Sequence, residues 1–268
     1  MPLTAIVSLG GLGLVLGAVL GIAARKFAVA VDPREEKIMG ILPGANCGAC
    51  GFPGCQAYCS ALLSGEASVE VCPAGGKDVS LQLAEVMGVQ AEEAVPQVAV
   101  ICCGGGKDRV KEKFTYKGVE QCLAAHLLQG GFKDCAYGCL GLGSCVGVCP
   151  FGALRMGENG LPAVDERKCT GCGICVRACP RDIIRLIPRS QEVYVGCVSK
   201  DKGKDVRNIC KVGCFGCGLC AKAAVDGAII MDGNLPEIQS ADMEKVAKAV
   251  EKCPAKVFVL RDNVSNFS

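Results

Sequence analysis

The stretch Cys-Thr-Gly-Cys-Gly-Ile-Cys-Val-Arg-Ala-Cys-Pro, residues 169 to 180, leaves few options for the chain around it. Thiols this closely spaced rarely meet disulfide geometry with their neighbours, but they can converge on a multi-atom inorganic core. The pattern C-x2-C-x2-C-x3-C-P is that of loops holding [4Fe–4S] clusters, in which the first three cysteines bind one cluster and the fourth reaches a neighbouring one. A second loop is therefore required, and twenty-two cysteines in 268 residues supply candidates. Zinc would favour paired Cys-x2-Cys units with histidine often filling a corner, and His126 is the sole histidine. Disulfide scaffolds are typically short secreted chains, which this is not.

The partner loop lies just upstream, in Cys-Ala-Tyr-Gly-Cys-Leu-Gly-Leu-Gly-Ser-Cys-Val-Gly-Val-Cys-Pro. It offers Cys139, Cys145 and Cys149 followed by Pro150, but the middle position holds Leu142, which cannot ligate iron. Cys135, four residues before Cys139, is the available replacement. The expected sets are Cys135, Cys139, Cys145 and Cys179 for one cluster, and Cys149, Cys169, Cys172 and Cys175 for the second. The segments GALRM and DIIRLI after the two Cys-Pro pairs read as the short strands of a pseudo-twofold ferredoxin.

A third region repeats this plan. CKVGCFGCGLCAKAAVDGAI runs in register with CAYGCLGLGSCVGVCPFGAL, so Cys210 matches Cys135 and Cys214 matches Cys139. Cys220 matches Cys145, and Ala224 falls where Cys149 was. Upstream, VYVGC ending at Cys197 resembles VAVIC ending at Cys102. Counting back from Cys253-Pro254 places Ala249, Val246 and Met243 where the other three cysteines would be. All four ligands of one cluster are thus missing, while Cys214, Cys217, Cys220 and Cys253 keep the other. Wholesale loss of one cluster leaves such a pattern; scattered drift would strand ligands on both sides.

Nearer the N-terminus, GANCGACGFPGCQAYC and VCPAGG supply Cys47, Cys50, Cys55 and Cys72, enough for one further [4Fe–4S] cluster. Cys59 falls on the same helix as Cys55 and reads as a small buried hydrophobe. The stretch DVSLQLAEVMGVQAEEAV has helical periodicity and closes this small domain. Four [4Fe–4S] clusters on sixteen cysteines leave Cys59, Cys102, Cys103, Cys122, Cys197 and Cys210 unassigned. Cys102 and Cys197 end predicted strands and read as packed interior thiols.

Leu3 to Ala24 is uncharged and apolar, long enough to cross a bilayer of roughly 30 Å as a helix. Arg25, Lys26, Arg34 and Lys37 follow it, so positive-inside logic puts the bulk of the chain in the cytoplasm, with single-pass anchoring in the cell membrane. A cleaved signal peptide is the alternative, but it would carry its basic residues before the apolar run. Gly13, Gly17 and Gly21 recur on one helix face and would admit a partner helix. A net charge of +2, few aromatics and no tryptophan argue against nucleic acid. No G-x-G-x-x-G follows a strand, and CCGGGKDRV lacks the setting of a phosphate loop. The expected class is α+β: a transmembrane helix (1–26), a small helical 4Fe-4S domain (27–97), a two-cluster ferredoxin-like unit (98–190) and a degenerate single-cluster ferredoxin-like unit (191–268).

With these motifs placed, the chain resembles the B subunit of the Rnf ion-translocating complex over its whole length. The residues that carry the likeness are the apolar N-terminal helix, CGACGFPGC followed by Cys72-Pro73, the loop GCLGLGSCVGVCPFGA and CTGCGICVRACP. The resemblance implies an electron relay in a membrane-bound assembly that oxidises reduced ferredoxin, reduces NAD+ and moves Na+ or H+. It implies soluble ferredoxin and the other Rnf subunits as partners, with no acid–base or nucleophilic catalytic residue on this chain. A basic face should receive acidic ferredoxin; Lys200, Lys202, Lys204, Arg207 and Lys211 form one such stretch, and residues 107–117 are similarly biased. The rival reading is a related membrane complex that reduces a redox-sensing transcription factor.

Overall fold

The computed structural model describes residues 2–26, 32–91 and 95–261, with side chains of the first segment from Gly10 onward. Helix α1 (Pro2–Lys26) is followed by α2 (Pro33–Ile41), α3 (Cys55–Ser64) and α4 (Gly76–Met87). Among the described residues no helix is long and apolar enough to cross a membrane. The first residues of the expected span lie outside the described side chains, and residues 27–31, which follow the expected anchor, lie outside the described residues.

Helices α2, α3 and α4 close a small domain of their own. Asp32 caps α2 by accepting from the Arg34 N–H at 2.8 Å, with Pro33 opening the helix. Ile38, Tyr58, Cys59, Leu62 and Leu83, each at most 1 % exposed, fill its core. Cys59 is a packed thiol there, its S–H facing the Glu35 carbonyl. Gly65 (φ 77°) and Gly88 (φ 69°) take left-handed conformations that end α3 and α4, so the last helix is shorter than the periodicity of its sequence suggests.

Two units of one plan follow. In the first, β1 (Gln97–Ile101), α5 (Cys122–Leu127), α6 (Ser144–Gly147), β2 (Leu154–Met156), β3 (Pro162–Val164), α7 (Ile174–Ala178) and β4 (Ile184–Pro188) succeed one another. β1 pairs antiparallel with β4 from Gln97↔Pro188 to Ile101↔Ile184, and β2 with β3 forms a hairpin between the helices. In the second, β5 (Val193–Val195), α8 (Gly203–Ile209), α9 (Leu219–Ala223), β6 (Ile229–Asp232), β7 (Leu235–Ile238), α10 (Met243–Glu251) and β8 (Phe258–Leu260) repeat it. There β5 pairs with β8 and β6 with β7. Two-stranded sheets are too small to stand alone, and both cores draw cysteines in with the aliphatic residues.

The units differ where α10 replaces the short α7. Val246 and Ala249 are completely buried in the second core, with Ala224 and Met243 packed against it. Side chains at the four positions that lack cysteine therefore join a hydrophobic core.

A seam of backbone bonds joins the units. The Gly104 N–H donates to the Gly196 carbonyl at 3.0 Å, Lys111 N–H to Ile209 at 3.0 Å, and Lys211 N–H to Arg109 at 2.9 Å. At the far end Arg261 forks onto Glu166 and donates to the carbonyls of Arg189 (2.7 Å) and Gln191 (2.8 Å).

Candidate metal centres

Cys149, Cys169, Cys172 and Cys175 line one cavity, walled by Phe151, Leu154 and Leu186. The loop coils around it because Gly171 (φ 70°) and Gly173 (φ 73°) adopt left-handed conformations, and a Cβ on Gly171 would press on the Gln97 carbonyl at 2.7 Å. Backbone amides point at the sulfurs: Ala99 N–H at Cys169 Sγ (3.5 Å) and Ala153 N–H at Cys149 Sγ (3.4 Å). The hydroxyl of Thr170, buried on the same wall, has no hydrogen-bond partner.

The second cavity is lined by Cys139, Cys145, Cys179 and Cys122. Cys135, expected in this set, lines a different cavity at the seam. The local reason is visible around Leu142. This leucine packs against a small apolar cluster of Ala125, Phe132 and Leu140, which also holds Cys122. Ala125 belongs to α5, whose first residue is Cys122. The Cys122 N–H in turn donates to Ser144 Oγ at 2.8 Å, tying the start of α5 to the start of α6. Cys122 stands seventeen residues before Cys139, outside any loop spacing, so the sequence pattern does not single it out.

The third cavity is lined by Cys214, Cys217, Cys220 and Cys253. Cys217 is solvent-exposed, whereas Cys214 and Cys220 are buried. In the small N-terminal domain, Cys55 opens α3 with its N–H on Asn46 Oδ1 (2.9 Å). Burial pushes the Cys72 thiol up, opposed by the N–H groups of Gly75 and Ala74, while the nearby thiols of Cys50 and Cys55 add to the rise. Cys47 lies in the same glycine-rich turn.

These sites fit an anionic iron–sulfur core rather than a lone ion. Among the described residues no three His, Cys, Asp or Glu side chains converge closely enough to hold one metal ion; four thiols ring each cavity instead. Burial raises Cys139 and Cys175 to about 12 and Cys145 and Cys214 to about 11, so metal-free thiols stay protonated and iron must displace those protons. Two cations are buried close by. Arg181 lines the second cavity with its Nε unpartnered, and burial lowers its affinity for a proton while the Cys135 and Cys179 charges oppose that. Lys133, 6 % exposed, donates only to the Gly105 carbonyl (3.1 Å) in the hydrogen bonds described for its side chain. Buried cations are costly unless negative charge lies near them, and thiolate-bound clusters supply it.

Comparison with known proteins agrees in placing iron–sulfur chemistry here. Residues 42–74 match the family described as "Putative Fe-S cluster", and residues 162–185 match "4Fe-4S binding domain". A protein of Methanosarcina acetivorans, named as the B subunit of an ion-translocating oxidoreductase complex, is 41% identical over 97% of this chain and 98% of its own. The B subunit of the Na(+)-translocating ferredoxin:NAD(+) oxidoreductase complex of Acetobacterium woodii is 44% identical over 92% of this chain and 74% of its own. Its namesake in the proton-translocating ferredoxin:NAD(+) oxidoreductase complex of Clostridium ljungdahlii is 43% identical over 91% of this chain and 87% of its own.

Proposed function

Since the chain belongs to the B-subunit family of the Rnf ion-translocating oxidoreductase complexes, we propose that it relays electrons from reduced ferredoxin towards NAD+ reduction, coupled in the complex to movement of Na+ or H+. The observation that carries this reading is the set of cavities each ringed by four cysteines within a duplicated ferredoxin plan. The residues that would hold [4Fe–4S] clusters are Cys47, Cys50, Cys55 and Cys72; Cys122, Cys139, Cys145 and Cys179; Cys149, Cys169, Cys172 and Cys175; and Cys214, Cys217, Cys220 and Cys253. When bound, such clusters pass one electron at a time, at potentials set by burial, nearby charge and hydrogen bonds to sulfur.

The chain's own residues supply those settings. Leu154, Leu186 and Phe151 wall one site with apolar surface. Amides of Ala99, Ala153 and Gly141 reach toward Cys169, Cys149 and Cys139. Arg181 brings positive charge to the wall of the second.

Two finer features belong to the same reading. Helix α1 anchors the chain in the cell membrane by a single pass, supported by its 25 residues and by the outward-facing Leu14, Leu16, Val19, Leu20 and Ile22. Ferredoxin docks on the basic surface of α8 and its flanks, where Lys200, Lys202, Lys204, Arg207 and Lys211 are all exposed. Anaerobic stopped-flow mixing of the full chain with reduced ferredoxin, followed at cluster absorbance, tests the relay. Rapid bleaching that weakens with salt is expected; iron-loaded protein that does not bleach would move the ferredoxin site to another member of the complex.

A further inference from the structure

Four of the cysteines left over from the ferredoxin pattern meet at one place. Cys103 and Cys135 from the first unit, and Cys197 and Cys210 from the second, line a cavity at the seam, with Gly104, Gly105, Gly196 and Gly213. A Cβ on Gly105 would stand 3.6 Å from Cys103 Sγ and 3.7 Å from Cys210 Sγ, so sulfurs of different units flank a single point.

The ligand turns are duplicated as well. Cys135 receives the N–H groups of Tyr137 and Gly138, and Cys210 receives those of Val212 and Gly213, two and three residues on in each case. A Cβ on Gly138 would lie 3.5 Å from Cys135 Sγ, and one on Gly213 3.6 Å from Cys210 Sγ. Cys103 accepts the Cys139 N–H at 3.4 Å, and Cys197 accepts the N–H of Cys214, the counterpart of Cys139. Strand pairing shifts the sequence match of Cys197 with Cys102 by one residue: the Cys102 N–H donates to Ile183 as the Gly196 N–H donates to Val257, so Cys197 stands where Cys103 does and each unit presents the same pair of thiols to the seam.

One further observation points to an anion in this space: amides are aimed at the sulfurs, as they are in the other sites. Cys102 also lines the cavity, but its thiol belongs to the first unit's apolar core, and the charges acting on it are those of Arg185, Cys103 and Cys197.

We propose that Cys103, Cys135, Cys197 and Cys210 hold a fifth [4Fe–4S] cluster, bridging the Cys122 set of the first unit to the Cys214 set of the second. The inference rests on the cluster-binding reading of the other sites. It uses twenty of the twenty-two cysteines and leaves Cys59 and Cys102 as packed thiols.

The full chain, purified without oxygen, should contain about 20 iron atoms and as many sulfides. Replacing Cys197 and Cys210 together by serine should lower iron by about four, whereas Cys59→Ala should leave it unchanged. Because the seam variant can fail to fold, clusters are also counted on the unaltered chain by anaerobic native mass spectrometry. Five clusters are expected there. Four clusters, zinc in the fifth place, or loss of iron in Cys102→Ala but not in Cys103→Ala would each overturn the assignment. A chain with no cluster at all would instead bring down the relay reading on which it rests.

Discussion

The backbone N–H of Cys139 donates to the Sγ of Cys103 at 3.4 Å, so a residue whose thiol lines one cysteine cavity is bonded through its own amide to a thiol lining the next. The amide of Cys214 makes the same contact with Cys197. Neighbouring sites are thereby joined by one hydrogen bond and a short piece of backbone, and the seam cavity stands between the two units' own sites.

Cys122 and Leu142 give the first test. Cys122→Ser should cost about four irons per chain, because no other free thiol lines that cavity. Adding Leu142→Cys to this variant restores the middle ligand of a ferredoxin loop and should return most of the iron. Iron analysis and low-temperature electron paramagnetic resonance read both; unchanged iron in the single variant would remove Cys122 from the set.

Ala249 is fully buried where a ligand would otherwise stand. Ala249→Leu forces extra methylenes into a filled core and should destabilise the chain by about 1–3 kcal/mol. The midpoint of denaturant unfolding, measured without oxygen, checks this. An unchanged midpoint would mean that space remains around α10.

The basic stretch is tested at Lys202, Lys204 and Lys211. Reversing these three to glutamate should slow the second-order reaction with reduced ferredoxin by about ten-fold at low salt and flatten its dependence on ionic strength. Arg207 is spared because its guanidinium lies 4.3 Å from the centre of the Phe215 ring and has a packing role. A rate that does not change places ferredoxin elsewhere.

Removal of residues 1–26 should release the chain from membranes when it is made without the rest of the complex. Sedimentation of the full and shortened chains gives the answer. If both pellet equally, attachment does not depend on α1.

Much of this arrangement is legible in the residues because ferredoxin loops encode ligands at fixed spacing. Cys253 follows from matching Cys253-Pro254 to Cys179-Pro180, and the structure lines one cavity with it and with Cys214, Cys217 and Cys220. Cys122 is not legible, since its placement comes from α5 folding back onto Leu142 and its neighbours, a contact with no sequence period. A signal for the seam is nevertheless present. Cys210 is retained in a unit whose own triplet, Cys214, Cys217 and Cys220, is complete and needs no substitute. The position shared by Cys135 and Cys210 therefore answers to something other than the missing cysteine at Leu142.

With both halves intact, the two units would offer the same pair of cysteine-lined cavities, and nothing in their plan would tell one from the other. Val246 and Ala249, packed in the second core where cysteines would otherwise stand, abolish that equivalence. The first unit keeps two such cavities of its own, and the second keeps one, beside the exposed Cys217.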